Sequence, residues 1–266
     1  MNRGVGVAVL LAAAGAWGCA PRSAVRVPAR KAQAVSPLAE YLRSYNSGPE
    51  AVRARGRLEV SGRGAADFGA RAAAEKGFRF DAVAGPFSSA VLAMACRVGG
   101  ECQVYVPSRQ TVYLGRDEGW GTWLEALLRG RVPEFGSPVE AWALAEGRRV
   151  LVLSNGSGWR EEVEFDASTL LPARVALFRG GTLSAEIIYE EHFDLDGHPF
   201  PARLSVRVTE PATDYEVEYR QVECDSSILD DEFNLALPPG VAVEIIKERA
   251  QWRETGIPRW LPIPEG

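Results

Sequence analysis

The stretch SSAVLAMACRVGGECQVYVPSRQTVYLG, residues 88 to 115, sets the architecture expected for this 266-residue chain. Apolar residues alternate with small or polar ones on both sides of a glycine pair, a period of two that is typical of β-strands. A glycine in the left-handed position of the loop Val98-Gly99-Gly100 would fold the two sides into a hairpin. The stretch therefore predicts antiparallel strands joined by short turns.

The same hairpin would place Cys96 directly opposite Cys102. A disulfide between them is predicted if the protein lies in an oxidising compartment. A zinc site is the competing interpretation of two close cysteines, but no histidine or second cysteine pair lies nearby in the sequence. Cys224 is left over, and we expect it to be a buried free thiol.

Alternating segments continue over most of the remaining chain, separated by turn clusters rich in glycine, asparagine and aspartate. One amphipathic helix is predicted before them, with Ser36 as its N-cap and Pro37 in its first turn. A second, strongly apolar helix interrupts the strands at WLEALLRG, residues 123–130, where Thr122 and Glu125 form a capping box.

This order of elements predicts an α+β fold in which one antiparallel sheet carries both helices on the same face. If the sheet curls, the helices fill its concave side, and any cavity left between helices and sheet is apolar. The side chains expected to line such a cavity are Leu92, Met94, Val104, Val106, Trp123 and Leu127.

The N-terminal residues MNRGVGVAVLLAAAGAWGCA have the form of an export signal. One arginine precedes an apolar run that is shorter than the ~20 residues needed to span a bilayer. Ala16, Gly18 and Cys19 resemble the lipobox of bacterial lipoproteins, in which the cysteine is acylated and becomes the mature N-terminus. Ordinary secretion with a chance cysteine is the alternative. Two or more acyl chains on Cys19 would hold the protein stably at a membrane.

These features divide the chain into a signal peptide, residues 1–18, a tether, residues 19–35, a folded domain, residues 36–246, and a C-terminal extension, residues 247–266. Removal of the signal peptide takes away one of 30 basic side chains and none of the 35 acidic ones, which leaves a formal net charge of −6. Nucleic-acid binding depends on an excess of lysine and arginine, so no nucleic-acid partner is expected.

The sequence offers no combination of nucleophile, base and orienting residue. His192, Asp194, Asp196 and His198 lie close together in EEHFDLDGHPF, but Asp-x-Asp-Gly is an ordinary turn and the spacing of a calcium-binding EF-hand is not met. SNGSGW, residues 154–159, lacks the spacing of a nucleophile elbow. We therefore expect no enzymatic activity, no metal ion and no cofactor.

Three stretches resemble the LolA/LolB family of bacterial lipoprotein carriers. GPFSSAVLAMAC is similar to the strand pair and protruding loop of LolB-type receptors, WLEALLRGRVP to their lid helix, and IIYEEHFDLDGHPFPARLSV to their late hairpin. FNLALPPGVAVEII is similar to the C-terminal ending of LolB-like lipoproteins. The resemblance covers nearly the whole mature chain. It implies a single strongly curved antiparallel sheet, an open half-barrel, with helices covering the concave side.

The resemblance implies that the protein binds acyl chains and catalyses no reaction. Acyl chains of lipoproteins or of phospholipid would enter the cavity against Trp120, Trp123, Leu124 and Leu127, and Phe87 would insert into the membrane at the position of the family's exposed apolar residue. The protein would then help to localise or insert lipoproteins in the outer membrane, facing the periplasm, with a periplasmic carrier protein as a candidate partner. Two alternatives stay open. For Phe87, the alternative to membrane insertion is that its side chain folds back onto the sheet. For the chain, the alternative to a lipid carrier is a non-catalytic scaffold lipoprotein with a filled core.

Overall fold

The computed structural model describes residues 31–85, 89–117, 120–134, 136–144, 147–156, 158–209 and 212–247. The predicted signal peptide, Cys19 as the predicted acylation site, Phe87 as the predicted membrane-insertion residue and the predicted C-terminal extension after Lys247 lie outside the described residues.

Two α-helices and fifteen strands make up the regular structure of the described residues. The helices are α1 (Val35–Asn46) and α2 (Trp120–Leu128). The strands are β1 (Lys31–Ala32), β2 (Ala51–Val60), β3 (Gly64–Ala73), β4 (Gly77–Ala84), β5 (Ser89–Arg97), β6 (Glu101–Val106), β7 (Thr111–Arg116), β8 (Ser137–Ala143), β9 (Arg149–Ser154), β10 (Trp159–Phe165), β11 (Pro172–Arg179), β12 (Thr182–Leu195), β13 (His198–Thr209), β14 (Ala212–Cys224) and β15 (Ala242–Ile245).

The strands form one sheet in the order β1-β8-β9-β10-β11-β12-β13-β14-β2-β3-β4-β5-β6-β7-β15. Neighbouring strands are antiparallel except β15, which runs parallel to β7 after a long connection through the 3-10 turn Asp230–Phe233. Within the described part of the chain β1 and β15 do not pair, so the sheet is open. The predicted α+β class with an open, predominantly antiparallel sheet is confirmed.

Large and small residues alternate across neighbouring strands on the core face of the sheet. Phe80 of β4 lies opposite Ala70 of β3, and Phe68 of β3 lies opposite Ala82 of β4. On the other side Phe68 faces Gly56 of β2, where an added Cβ would come within 2.8 Å of the phenylalanine ring. Each ring therefore lies against a small residue of the neighbouring strand, which leaves room for it on the core face.

The predicted hairpin of β5 and β6 is confirmed, and so is its disulfide. Cys96 and Cys102 are directly opposed in the register and are joined, and Gly99 in the connecting loop has the left-handed φ of 64°. Cys224 is free, as expected, but the expectation that it is buried is wrong, since this thiol is exposed. It lies at the very end of β14, beside the carboxylate of Asp196, where the sheet gives little cover.

Helix α1 begins one residue before the predicted N-cap. It spans Val35–Asn46, so Ser36 lies within its first turn and Ala34 is the N-cap without a side-chain hydrogen bond. Ser36 is therefore not the cap, whereas Pro37 does lie in the first turn, where its missing N–H costs nothing. The buried face of α1, which includes Leu38, packs on β8 and β9.

Helix α2 begins at Trp120, three residues earlier than predicted, and the predicted capping box of Thr122 and Glu125 does not form. Instead the backbone N–H of Gly121 donates to Oδ1 of Asp117 at 2.9 Å. A carboxylate suits this place because it satisfies a first-turn amide and complements the helix dipole. Glu125 is buried inside the protein. Helix α2 packs on β3 and β4, and neither described helix is long and apolar enough to cross a membrane.

Candidate apolar binding site

A cavity of about 370 Å³ lies between α2 and strands β2 to β6, β13 and β14. Pockets that bind one small ligand usually have volumes of ~300 to 1,000 Å³, so this cavity lies near the lower end of that range. Its described lining is almost wholly aliphatic or aromatic. On the helix side it is formed by Leu124, Leu127 and Leu128, and the sheet side includes Phe80 and Tyr219.

The cavity exists because small residues stand together at one end of β3 and β4. Deeper in the sheet each alanine faces a phenylalanine, as Ala70 faces Phe80. Towards the ends of the two strands, however, Ala66 and Ala84 fall in neighbouring positions, and both line the cavity together with Ala82. Because these three positions hold alanine, neither strand places a large side chain there, and the space between the sheet and α2 is left open.

One end of the cavity reaches the protein surface. This is the end where β2 and β4 finish and where β3 and β5 begin. Its lining there includes Arg63 and Gly64 of the β2–β3 hairpin, which are exposed, and Val91 of β5, which is 43% exposed. We call this end the mouth. Phe87 lies outside the described residues, in the connection between Ala84 and Val91, both of which line the cavity.

The structure brings five of the eight predicted cavity residues together. Leu92 and Met94 of β5, Val106 of β6, and Leu124 and Leu127 of α2 all line the cavity. Leu92 and Met94 are two residues apart, as residues on one face of a strand are, and Leu124 and Leu127 are three apart, as residues on one face of a helix are. This spacing is why the sequence pattern predicted them.

The other three predicted residues do not line this cavity. Val104, Trp120 and Trp123 are 0%, 1% and 2% exposed and belong to the core. The ring of Trp120 packs edge to face against Phe78, with centroids 6.2 Å apart. Helix α2 has two buried flanks, one towards the cavity and one towards the core, and both flanks are apolar.

Sequence reasoning missed the cavity residues contributed by β2, β13 and β14, among them Leu58, Leu204 and Val217. Each of them alternates like an ordinary core residue, and nothing local marks it as part of a cavity. The signal that could have found the site is the run of alanines in the segments now seen as β3 and β4, because alanine at inward positions leaves space.

The N-terminal end of α2 rests on the disulfide. A Cβ added to Gly121 would lie 2.4 Å from Sγ of Cys96 and 3.0 Å from Asp117, so only glycine allows the helix to approach this closely. The disulfide of the β5–β6 hairpin and the Asp117 cap therefore fix where α2 begins.

Three tyrosine hydroxyls hold the other end of α2. Tyr219 of β14 donates to the carbonyl oxygen of Leu127 at 3.1 Å. Just beyond the helix, Tyr45 of α1 donates to Gly130 at 2.7 Å and Tyr189 of β12 donates to the backbone of residue 131 at 3.1 Å. Burial raises the pKa of all three phenols, so they stay neutral donors. They hold the last turn of α2 and the two residues just after it in place against α1 and the sheet.

Arginines add a second set of contacts at this end. Arg129 forms a buried ion pair with Glu125, one helical turn earlier, at 2.5 Å, and also donates to the carbonyl of Pro49. Arg131 donates to the carbonyls of Gly48 and Pro49. Burial raises the pKa of Glu125 against the attraction of Arg129, and lowers the pKa of Arg131 to about 10. The segment after α2 is thus tied to the loop between α1 and β2.

The histidine-containing turn does not form a metal-binding group. Among the described residues, one set of three metal-type ligands lies close together, formed by Cys96, Cys102 and Asp117, and both of its sulfurs are engaged in the disulfide. His192 instead lies 3.4 Å from the hydroxyl of Tyr45, and burial lowers its pKa.

An open antiparallel sheet with a helix fixed over an apolar cavity is a fold suited to binding apolar molecules. Solved structures share this architecture. A LolA superfamily protein from Nitrosomonas europaea matches 77% of this chain and 99% of its own length, with 12% identity and a TM-score of 0.56. A DUF1329 family protein from Desulfovibrio piger matches 77% of this chain and 99% of its own, with 11% identity and a TM-score of 0.54.

A third structure, a domain from Vibrio parahaemolyticus described as a candidate outer membrane lipoprotein-sorting protein, matches 74% of this chain and 95% of its own, with 12% identity and a TM-score of 0.51. No protein-family model matches the sequence, and no curated protein is similar to it. The chain therefore has the LolA/LolB-like fold, and the resemblance read from its sequence is confirmed at the level of the fold.

Proposed function

We propose that this protein is a membrane-anchored lipoprotein that binds an acyl chain in the cavity beneath α2 and helps to localise or insert lipoproteins or lipids in the outer membrane. The observation that carries the proposal is the cavity itself, an unfilled space of about 370 Å³ with an apolar lining and a mouth at the surface. Each methylene moved from water into such a space contributes ~0.8 kcal/mol, so an acyl chain is the ligand that gains most.

The proposed anchor is the acylated thiol of Cys19, joined to the domain by the tether. Bacterial lipoprotein-sorting proteins among the similar structures support an envelope location, since the Vibrio parahaemolyticus domain is described by that role. Phe87 is the proposed membrane contact, because Ala84, three residues before it, and Val91, four residues after it, belong to the cavity lining near the mouth. A chain released there passes directly into the bilayer. The bound acyl chains belong to lipoproteins or phospholipid, and no catalytic step is involved.

The proposal includes a sheet that curves around both helices. Helix α1 packs on β8 and β9, near one edge, whereas α2 packs on β3 and β4, far across the sheet order. Nevertheless Tyr45 of α1 bonds to Gly130, two residues after α2. A sheet whose concave side holds both helices accounts for this meeting.

The alternative is a scaffold lipoprotein with the same fold and a core filled by its own side chains. A filled core needs larger side chains at the positions of Ala66, Ala82 and Ala84, which all line one space here. Replacing them with larger apolar residues would bury more surface and raise stability. Their small size favours a site that is kept open for a ligand.

Titration of the detergent-free mature domain with dansyl-labelled undecanoic acid tests the proposal. The wild type should give a saturable rise in fluorescence, whereas Ala66→Phe and Ala82→Phe should weaken binding at least tenfold because their rings occupy the cavity. Ala90→Phe is the matched control, since Ala90 is exposed on β5 and does not line the cavity. Absence of binding by the wild type would overturn the proposal, and so would cavity variants that bind the probe as tightly as the wild type does.

A further inference from the structure

The mouth of the cavity carries a single charged side chain among its described lining residues, the guanidinium group of Arg63. Arg63 is the last residue of the three-residue turn between β2 and β3. Its backbone N–H donates to the carbonyl of Val60 at 2.9 Å, and Gly62 and Gly64 on either side adopt left-handed φ angles of 73° and 100°. The turn is thus a defined structure that directs one arginine towards the entrance of an otherwise apolar space.

No described side chain neutralises this arginine. Two acidic residues at this end of the sheet, Glu59 of β2 and Asp214 of β14, form ion pairs with Arg57 and Arg207. Glu59 also alternates with Val60, which lines the cavity, and so lies on the opposite face of β2. Within the described residues Arg63 is therefore left as a cation facing an apolar cavity.

A second polar group accompanies it. Tyr215 of β14 is paired with Val60 in the register, is 7% exposed and lines the same cavity. Burial raises the pKa of Tyr215 to about 12, against a hydrogen bond with the side chain of Thr213 and the positive charge of Arg63, so the guanidinium group lies within electrostatic range of the phenol. The entrance thus combines a cation with a neutral hydroxyl, above a lining without any other described charge.

We infer that the acyl chain bound at this site belongs to an anionic lipid: one chain fills the cavity, and the carboxylate or phosphate of the head group lies against Arg63 at the mouth. The inference rests on the proposed function and adds the class of ligand. A volume of about 370 Å³ accommodates one chain and not a bundle of three. An arginine fork is the side chain best matched to the planar geometry of a carboxylate and to phosphate oxygens.

Three probes with the same chain separate the head group from the chain: hexadecanoate, hexadecyl phosphate and hexadecanol. Each is titrated into the detergent-free mature domain at pH 8 and low salt, with displacement of the dansyl-labelled fatty acid as readout. The wild type should bind both anions about tenfold more tightly than the alcohol. Added salt should reduce this preference, because the head group lies at the surface.

Arg63→Gln should abolish the preference by weakening the two anions about tenfold while leaving the alcohol unchanged. Arg55→Gln is the matched control, since Arg55 is an exposed arginine on β2 that does not line the cavity, and it should keep the wild-type preference. Comparison of the two anions shows whether carboxylate or phosphate is preferred. Equal binding of alcohol and anions by the wild type, or a preference that survives in Arg63→Gln, would overturn this inference alone. Failure of all three probes to bind would overturn the proposed function with it.

Discussion

The hydroxyl of Tyr219 donates a hydrogen bond of 3.1 Å to the backbone carbonyl of Leu127, so a sheet side chain holds the last turn of the helix that covers the cavity. Both residues also line that cavity. The position of α2, and with it the shape of the space below, is therefore set by polar contacts at the helix end as well as by apolar packing along its length.

Tyr219→Phe should lower the free energy of unfolding by about 0.5 to 1.5 kcal/mol, because it keeps the ring but removes one of the two hydrogen bonds to the buried carbonyl of Leu127, which still accepts from the N–H of Gly130. Urea denaturation monitored by tryptophan fluorescence measures the change. Tyr41→Phe is the control, since Tyr41 is 45% exposed on α1 and its substitution should cost little. Equal stabilities of the two variants would contradict the role given to the Tyr219 hydroxyl.

The ion pair of Glu125 and Arg129 should behave as a coupled unit. Arg129→Met leaves a buried carboxylate and should cost about 3 to 5 kcal/mol, whereas Glu125→Leu combined with Arg129→Met should cost clearly less than the two single changes together. A double-mutant cycle in urea measures the coupling. Strict additivity would show that the two side chains act independently.

Gly121→Ala should destabilise the protein by about 1 to 3 kcal/mol, even though alanine favours helices, because the new Cβ overlaps Sγ of Cys96. Gly69→Ala is the matched control. Its Cβ would meet no atom within 4 Å, so the stability of that variant should be unchanged or higher. Thermal denaturation of both variants, with the disulfide intact, decides the matter. A Gly121→Ala protein as stable as the wild type would disprove close contact between α2 and the disulfide.

His192 should contribute to loss of stability in mild acid. Burial lowers its pKa in the folded protein below the ordinary value of 6.5, so the unfolded chain binds the proton more readily. The contribution is therefore fully present at neutral pH and is lost as the pH falls from about 6.5 towards the folded pKa. His192→Gln should flatten the dependence of the unfolding free energy on pH between 7 and 5. His198→Gln serves for comparison, and an unchanged slope in His192→Gln would rule the effect out.

Phe87→Glu should leave acyl-chain binding intact but slow the transfer of a bound fluorescent chain to phospholipid vesicles by tenfold or more, since a carboxylate does not enter the bilayer interface. Leu229→Glu, which places the same charge at an exposed position far from the mouth, should transfer normally. Normal transfer by Phe87→Glu would remove this residue from the mechanism.

Periodicity was enough to predict the sheet, its hairpins and the two helices, because alternation and turn chemistry are local properties. The disulfide followed for the same reason, since Cys96 and Cys102 face each other across a short loop. Helix starts were less accurate. Ser36 and Thr122 are good caps by type, yet Ala34 and Asp117 occupy the N-terminal ends, because packing determined where each helix begins.

The candidate site could be predicted only in part. Leu124 and Leu127 face the cavity while Trp123, directly before Leu124, faces the core, and a sequence pattern cannot separate two buried flanks of one helix. The contributions of Leu204 and Tyr219 depend on pairing between strands that are distant in the chain. The hydrogen bonds of the three tyrosines at the end of α2 could not be predicted from periodicity either, because each joins residues that are distant in the chain.

Native mass spectrometry of the mature domain, expressed in bacteria and purified without detergent, shows whether the cavity is a binding site. We expect a population whose mass exceeds that of the polypeptide by one acyl-chain lipid, which disappears in Ala66→Phe and Ala82→Phe and persists in Ala90→Phe. A single species at the mass of the polypeptide, which also takes up no added hexadecanoate, would contradict the carrier function and leave the scaffold.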